Sequence, residues 1–371
     1  MRTKIGVFII PKFHIDSAVG GAENICRLVV QGLAEKYNIV VLHGELNLNA
    51  KLGVIQNHTE HIQSMNAFYL DEYSRQNGEI SPTFCHQVEG IINECKVLLS
   101  FERVITDLNI DQVCILGGIS YKHCVDIAKS NVWKKLIVPS NFLKEKCMEL
   151  SNRGEDVQVI SNGILCENFF PTMFEKQYAA LLPYRPDWRK GYRESIDFIA
   201  IINSLGNWGQ YRLIVTRQEN NDFADTEFYS SLNYYAMKRN VKIEYVSWQN
   251  EKGMNSLYNK CDFVLALGNL EEGFGLTTIE AIAAGRYVIS RRMGATVSIL
   301  PPKTGIIFVD EKMNVSEVRK VMDEYSMSLT TKEVMDGINY IRNNYDISVM
   351  KKRYDEYLSI FLEEYNSIDE N

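Results

Sequence analysis

The sequence predicts two successive doubly wound α/β units, each built on a parallel sheet. Three observations carry this. The chain has 371 residues, long for one domain and comfortable for two. It opens on a strand, a glycine loop, a helix and a second strand. After Pro171 the alternation of apolar runs and helical stripes starts again, the pattern of strands joined by helical crossovers.

Residues 4–10 form a short β-rich apolar run, and a loop leads to Gly20 and Gly21. The segment 22–36 sets Ile25, Leu28, Val29, Gly32 and Leu33 on one helical stripe. With a strand at 38–42 this makes a βαβ unit, whose crossover is right-handed. Residues 44–83 are polar and weakly periodic and read as a long functional excursion. Residues 87–108 read as a helix and 112–116 as a strand ended by Gly117 and Gly118. A strand at 136–138 is stopped by Pro139, and Ser140 or Asn141 caps a helix over 142–150. Residues 157–160 are a strand followed by the turn Ser161-Asn162-Gly163.

The second half reads as strands at 178–182, 212–215, 241–246, 263–267, 287–290 and 305–309. Helices fall at 192–204, 226–238, 251–260 and 276–284. Three more, near 314–326, 331–343 and 347–366, close the chain; the last carries Val349, Tyr354, Tyr357, Leu358, Phe361, Leu362 and Tyr365 at near-helical spacing, read as ordinary packing. Ligands of doubly wound sheets sit outside the carboxyl ends of the strands, so the cleft between two such units is the expected site.

Apolar residues make up 46% and charged residues 23%, a globular balance, and the net charge is −7. A mildly acidic chain lacks the basic surface of a general nucleic-acid binder. Basic residues do collect between Lys122 and Arg153. They read first as a solvated face of two surface helices, with a patch for anionic lipid or a charged acceptor as the alternative. The eight cysteines show no C-x-x-C pair and no zinc-like spacing, so free thiols in a reducing compartment are expected. The N-terminal apolar run is too short for a signal segment and no apolar run reaches membrane-spanning length. A cytoplasmic protein is expected, with peripheral membrane contact through 122–153 as its open variant.

Chemistry concentrates in Glu271-Glu272-Gly273-Phe274-Gly275-Leu276-Thr277-Thr278-Ile279-Glu280. This is an acidic loop, a glycine-flanked aromatic and a helix start. Glycines let backbone N–H groups approach a ligand, and a helix N-terminus favours a phosphate. Glu280, one turn into the helix, can face the same ligand, and a carboxylate accepts strong hydrogen bonds from paired sugar hydroxyls. A capped surface helix would account for Glu280 but not for the glycines or Glu272. Upstream, Arg185 and Lys190 in Tyr184-Arg-Pro-Asp-Trp-Arg-Lys-Gly191 supply cations that suit a diphosphate leaving group, and Arg189 competes with Lys190 for that role.

The spacing of Glu272 and Glu280 with Gly-Phe-Gly after the first resembles the E-x7-E motif of retaining glycosyltransferases of the GT-B fold, often called family 4. The resemblance implies that Glu280 binds the nucleotide ribose, that Glu272 contacts the donor sugar, and that backbone amides around Gly273, Phe274, Gly275, Leu276 and Thr277 hold sugar hydroxyls and phosphate. The 184–191 loop is similar to the family's G-R-x4-K-G loop, which implies that Arg185 and Lys190 clamp the diphosphate. Gly20-Gly21-Ala22-Glu23 is like the family's G-G-A-E opening, near donor phosphate and acceptor. The implied organisation is an α/β GT-B fold with two Rossmann-like domains facing across a cleft. An acceptor-binding domain spans 1–168, a nucleotide-sugar domain spans 169–345, and a helix over 346–371 crosses back.

The implied reaction moves a sugar from a nucleoside-diphosphate sugar to a glycan, lipid-linked or small-molecule hydroxyl acceptor, with retention. No cofactor and no metal are expected, since the sequence holds no D-x-D and two cations can do a metal's electrostatic work. The sequence departs from the family at Tyr184 in place of glycine and in the lack of a histidine after the 112–116 strand, His123 being displaced. Thr216-Arg217-Gln218 replaces a glycine-rich loop, and Val297 stands where the family has an acid. These departures keep open an inactive transferase-like partner protein; a phosphorylase on the same fold, using free phosphate, is the nearby rival.

Overall fold

The computed structural model describes residues 2–10, 15, 21–45, 51–69, 76–172, 175–217, 223–328 and 331–369. The chain divides into two compact units, Met1–Gly163 with Ile347–Asn371, and Ile164–Asp346.

The first unit is built around β1 (Lys4–Ile9), buried along nearly its whole length. A strand apolar on both faces belongs inside a parallel sheet covered by helices. Helix α1 (Gly21–Leu33) covers it with Ile25, Cys26, Leu28, Val29, Val30 and Leu33. Strands β2 (Asn38–Glu45), β3 (Ile55–Asn57), β4 (Ile62–Tyr69) and β5 (Glu79–Ile80) come next. After them run α2 (His86–Asn93), β6 (Leu98–Phe101), β7 (Val104–Ile105), β8 (Gln112–Ile115) and α3 (Lys122–Lys129). Strand β9 (Lys135–Val138), α4 (Asn141–Ser151) and β10 (Val157–Val159) complete this stretch. The sheet order is β10-β9-β8-β6-β1-β2-β4-β3. Val7 of β1 lies between Val41 of β2 and Leu99 of β6, both pairings parallel.

Two readings of this half are corrected. Residues 87–108 are not one helix: α2 stops at Asn93, and the fully buried run Leu98–Phe101 is a strand. A short continuous apolar run has no periodicity to separate strand from helix. The described residues of the 44–83 excursion include strands β3, β4 and β5. Polar Gln63, Ser64 and Asn66 mask the pattern of β4, yet Ser64 is fully buried and its hydroxyl meets His58 Nε2 at 2.7 Å.

The second unit runs β11 (Ala179–Leu182), α5 (Tyr192–Leu205), β12 (Arg212–Arg217), α6 (Phe223–Lys238) and β13 (Ile243–Ser247). It continues with α7 (Glu251–Tyr258), β14 (Phe263–Ala266), α8 (Leu276–Ala283), β15 (Tyr287–Arg291) and β16 (Ile306–Val309). Helices α9 (Val315–Ser328) and α10 (Thr331–Tyr345) close it. Its six strands are ordered β13-β12-β11-β14-β15-β16, and every pairing is parallel. An aromatic-rich core with Tyr192, Phe198, Phe263, Tyr287 and Tyr325 fills one side. The unit's two ends meet: Ile164 bridges Asp346, and the Ile164 N–H donates to Tyr345 O at 2.9 Å.

The final helix, α11 (Ile347–Asp369), returns to the first unit and packs on α1. Met350, Tyr354, Leu358 and Phe361 are its buried stripe. No helix among the described residues is long and apolar enough to cross a membrane. The eight cysteines carry free thiols, seven of them buried. Much of the basic stretch is ion-paired: Lys134 with Asp111, and Lys135 and Arg153 with Asp156, at 2.6, 2.8 and 3.1 Å.

Candidate functional site

In the second sheet the strand order reverses between β11 and β14, because β12 and β13 lie on one side and β15 and β16 on the other. A reversal parts the two following loops and leaves a crevice at the strands' carboxyl ends. Those loops, 183–191 and 267–275, contain the cationic and acidic motifs.

The loops are locked backbone to backbone. Gly191 has φ +86°, and a Cβ there would lie 2.4 Å from Gly268 N. The Asn269 N–H donates to Arg189 O at 2.9 Å. Only glycine combines that conformation with that approach. Between them, Trp188–Lys190 form one 3-10 turn capped by Asp187, whose carboxylate accepts from Arg189 N at 2.9 Å. The same carboxylate takes Arg189 Nη2 at 2.7 Å, and these hydrogen bonds hold Asp187 below the usual carboxylate range. Arg189 is thereby tied to its own turn, while the Lys190 ammonium reaches Glu272 Oε1.

The Lys190 and Glu272 side chains are 21% and 36% exposed. An ion pair this open contributes about 0–1 kcal/mol, so an arriving diphosphate could replace the carboxylate at little cost. Lys190 Nζ also stands 5.5 Å from the centre of the Tyr184 ring. Burial, then the charge of Glu272, pushes the Tyr184 phenol well above its ordinary value, and its hydroxyl is hydrogen-bonded to the Thr277 side chain. The Tyr184 carbonyl accepts from Tyr192 Oη at 2.6 Å, which fixes the start of the loop. Arg185 follows, exposed.

On the acidic side, Gly275 at φ +91° turns the chain into α8. Glu272 is held through its backbone: its carbonyl accepts from Ala295 N at 2.9 Å, with the bare Gly294 against it. Phe274, 3% exposed, packs edge-on to Tyr345 with ring centres 5.4 Å apart. Its ring is thus an inward anchor, while the adjoining backbone of Gly273, Gly275, Leu276 and Thr277 forms the turn into the helix. Glu280 is half-buried on α8, and its Oε2 accepts from Tyr258 Oη at 2.7 Å.

The fold thus gathers Arg185, Lys190, Glu272, Gly273, Phe274, Gly275, Leu276, Thr277 and Glu280 on two neighbouring loops and the start of α8. Gly21 lies in the first unit, exposed at the start of α1, and Gly20 lies outside the described residues. Two residues at the site went unread or misread. Tyr184 counted only as a departure, and Tyr258 carries no sequence signal, being 22 positions from Glu280. Among the described residues no three His, Cys, Asp or Glu side chains are placed to hold a metal ion.

Residues 175–333, all within the second unit, match the family model described as Glycosyl transferases group 1. No curated protein matches in sequence. Among solved structures, sucrose-phosphate synthase from Thermosynechococcus elongatus aligns with a TM-score of 0.72 and 14% identity, over 98% of this chain and 100% of that one. Anabaena HepE, in complex with UDP-glucose, aligns at 0.70 and 14% identity, over 96% and 99%. A UDP-forming α,α-trehalose-phosphate synthase from Burkholderia xenovorans aligns at 0.69 and 12%, over 97% and 98%. The chain therefore has the fold of the GT-B glycosyltransferases, two Rossmann-like parallel-sheet units, and its second unit carries the group 1 match.

Proposed function

We propose that the second unit binds a nucleoside-diphosphate sugar and that the protein is a retaining glycosyltransferase acting on a hydroxyl acceptor. The observation that carries this is the pairing of Lys190 with Glu272 at the switch point, with Glu280 beside it at the start of α8. Cations for a diphosphate and carboxylates for hydroxyls stand side by side. The group 1 match over 175–333, and a structural neighbour that binds UDP-glucose, support the same reading.

In this reading Glu280 accepts from the ribose hydroxyls and Glu272 from the sugar. Lys190 leaves Glu272 for the diphosphate, joined by Arg185. As the anomeric bond to the phosphate oxygen lengthens, negative charge grows on that oxygen and the two cations stabilise it. The acceptor hydroxyl attacks the same face, its proton passing to the departing phosphate, so the configuration is kept. A side-chain base is not required for this step, and neither is a metal ion. The cytoplasm, where nucleotide sugars are available, is the compartment we assign.

The test is calorimetric titration with UDP-, GDP-, ADP- and dTDP-sugars in a chelating buffer, beside Glu280→Ala and Arg185→Ala. One donor should bind, and both variants should lose about 1.5–3 kcal/mol, the worth of hydrogen bonds to charged groups. A folded protein that binds none of these donors would overturn the reading. It would favour instead an inactive partner protein, the alternative raised by Val297, which is 47% exposed where the family has an acid.

A further inference from the structure

Glu280 is held from behind. Tyr258, the last residue of α7, is fully buried, and its hydroxyl donates to Glu280 Oε2 at 2.7 Å. A hydrogen bond to an ionised oxygen is roughly twice as strong as a neutral one. The tyrosine is itself fixed on several sides. Its ring lies 6.1 Å from that of Phe169. Its carbonyl accepts from Arg286 Nε at 3.1 Å, and Arg286 is only 3% exposed. Arg286 Nη2 also donates to Asn259 Oδ1 at 2.7 Å, which locks the end of α7 to the start of β15. Burial, then the charge of Glu280, pushes the phenol far above its ordinary value, so it stays a donor at any working pH.

We propose that Tyr258 is the positioning residue of the nucleotide site: it holds the Glu280 carboxylate in the orientation that receives the paired ribose hydroxyls of a nucleoside diphosphate. This rests on the donor-site reading above. A free glutamate side chain gives up rotamer entropy when a ligand orders it. A glutamate already ordered by the protein gives up less, and the difference appears as affinity. Tyr258 never touches the ligand; it acts through Glu280 alone. A tyrosine that merely filled the core would affect melting without affecting which nucleotide binds.

The experiment uses the full chain and titrates UDP, GDP, ADP and the 2′-deoxy form of whichever binds. Tyr258→Phe removes one oxygen and keeps the ring on Phe169. We expect it to bind the ribonucleotide about tenfold more weakly, equivalent to ~1.4 kcal/mol, and to lose most of the preference for ribose over 2′-deoxyribose. In turnover with the matching donor, KM should rise with kcat unchanged. Glu280→Ala should lose the same preference, and adding Tyr258→Phe to it should cost nothing further.

Tyr258→Phe with wild-type affinity and preference, beside a Glu280→Ala that loses both, overturns the positioning role and leaves the donor site standing. Absence of binding by the folded wild type overturns the reading beneath it, and the positioning role with it. Should Tyr258→Phe fail to fold, 3-fluorotyrosine at 258 changes the strength of the donor at nearly constant shape. A ribose preference unchanged by that substitution overturns the role as well.

Discussion

Gly191 shows how one residue sets the chemistry of the site. It stands where the 183–191 loop touches Gly268, with φ +86° and no room for a Cβ. Gly191→Ala would be strained in its backbone and would push the two loops apart. A residue forced into that region costs roughly 1–3 kcal/mol, so the melting temperature should fall. Donor affinity should fall with it, because the same loop aims Arg185 and Lys190. His123 offers a second test, in the first unit. Burial, then the charge of Arg103, lowers its pKa from the ordinary 6.5 to about 4. The folded form therefore refuses a proton that the unfolded chain accepts. Stability is full above pH 6.5 and falls as the pH drops toward 4, by at most about 1.4 kcal/mol per pH unit, and by less because the ring is only partly buried. His123→Gln should flatten that slope in urea titrations at pH 7 and pH 5. At this scale the sequence was legible where chemistry follows spacing. Glu272 and Glu280 sit on one loop and one helix turn, so their separation alone suggests a shared ligand. Tyr258 reaches Glu280 only because α7 and α8 pack together, and no local pattern announces that.

Helix α11 is held by the first unit through Met350, Tyr354, Leu358 and Phe361, exposed by 1%, 1%, 0% and 5%. Each such side chain contributes about 1.5–3 kcal/mol when buried, against a total domain stability of about 5–15 kcal/mol. A chain ending at Asp346 should therefore lose the cooperative melt of the first unit while the second keeps its own. Two calorimetric transitions in the full chain, and one in the truncated chain, would show it. The elements that the sequence missed share a cause. Strand β6 is buried throughout, Ser100 included, so it has no inside-outside period to read, and β4 buries the polar Ser64 against His58. Their strand character comes from neighbours across the sheet, Val7 and Leu42 among them. By contrast α1 and α8 announce themselves through a glycine before an apolar stripe, a signal contained within one element.

For the whole molecule, the doubly wound class was legible because alternation of strands and helices is written along the chain. The strand order was not, since parallel neighbours such as β11 and β14 are separated by two intervening strands. The order places the candidate site, so the sequence could supply the residues without showing why they meet. The pairing of Ile164 with Asp346 has a mechanical meaning. Both points where the chain passes between units lie side by side, and both termini belong to the first unit. The second unit is thus a closed loop spliced into the first. A pull on the two ends of the chain loads the first unit alone until that unit opens. The half that carries the candidate nucleotide site is shielded from tension until then.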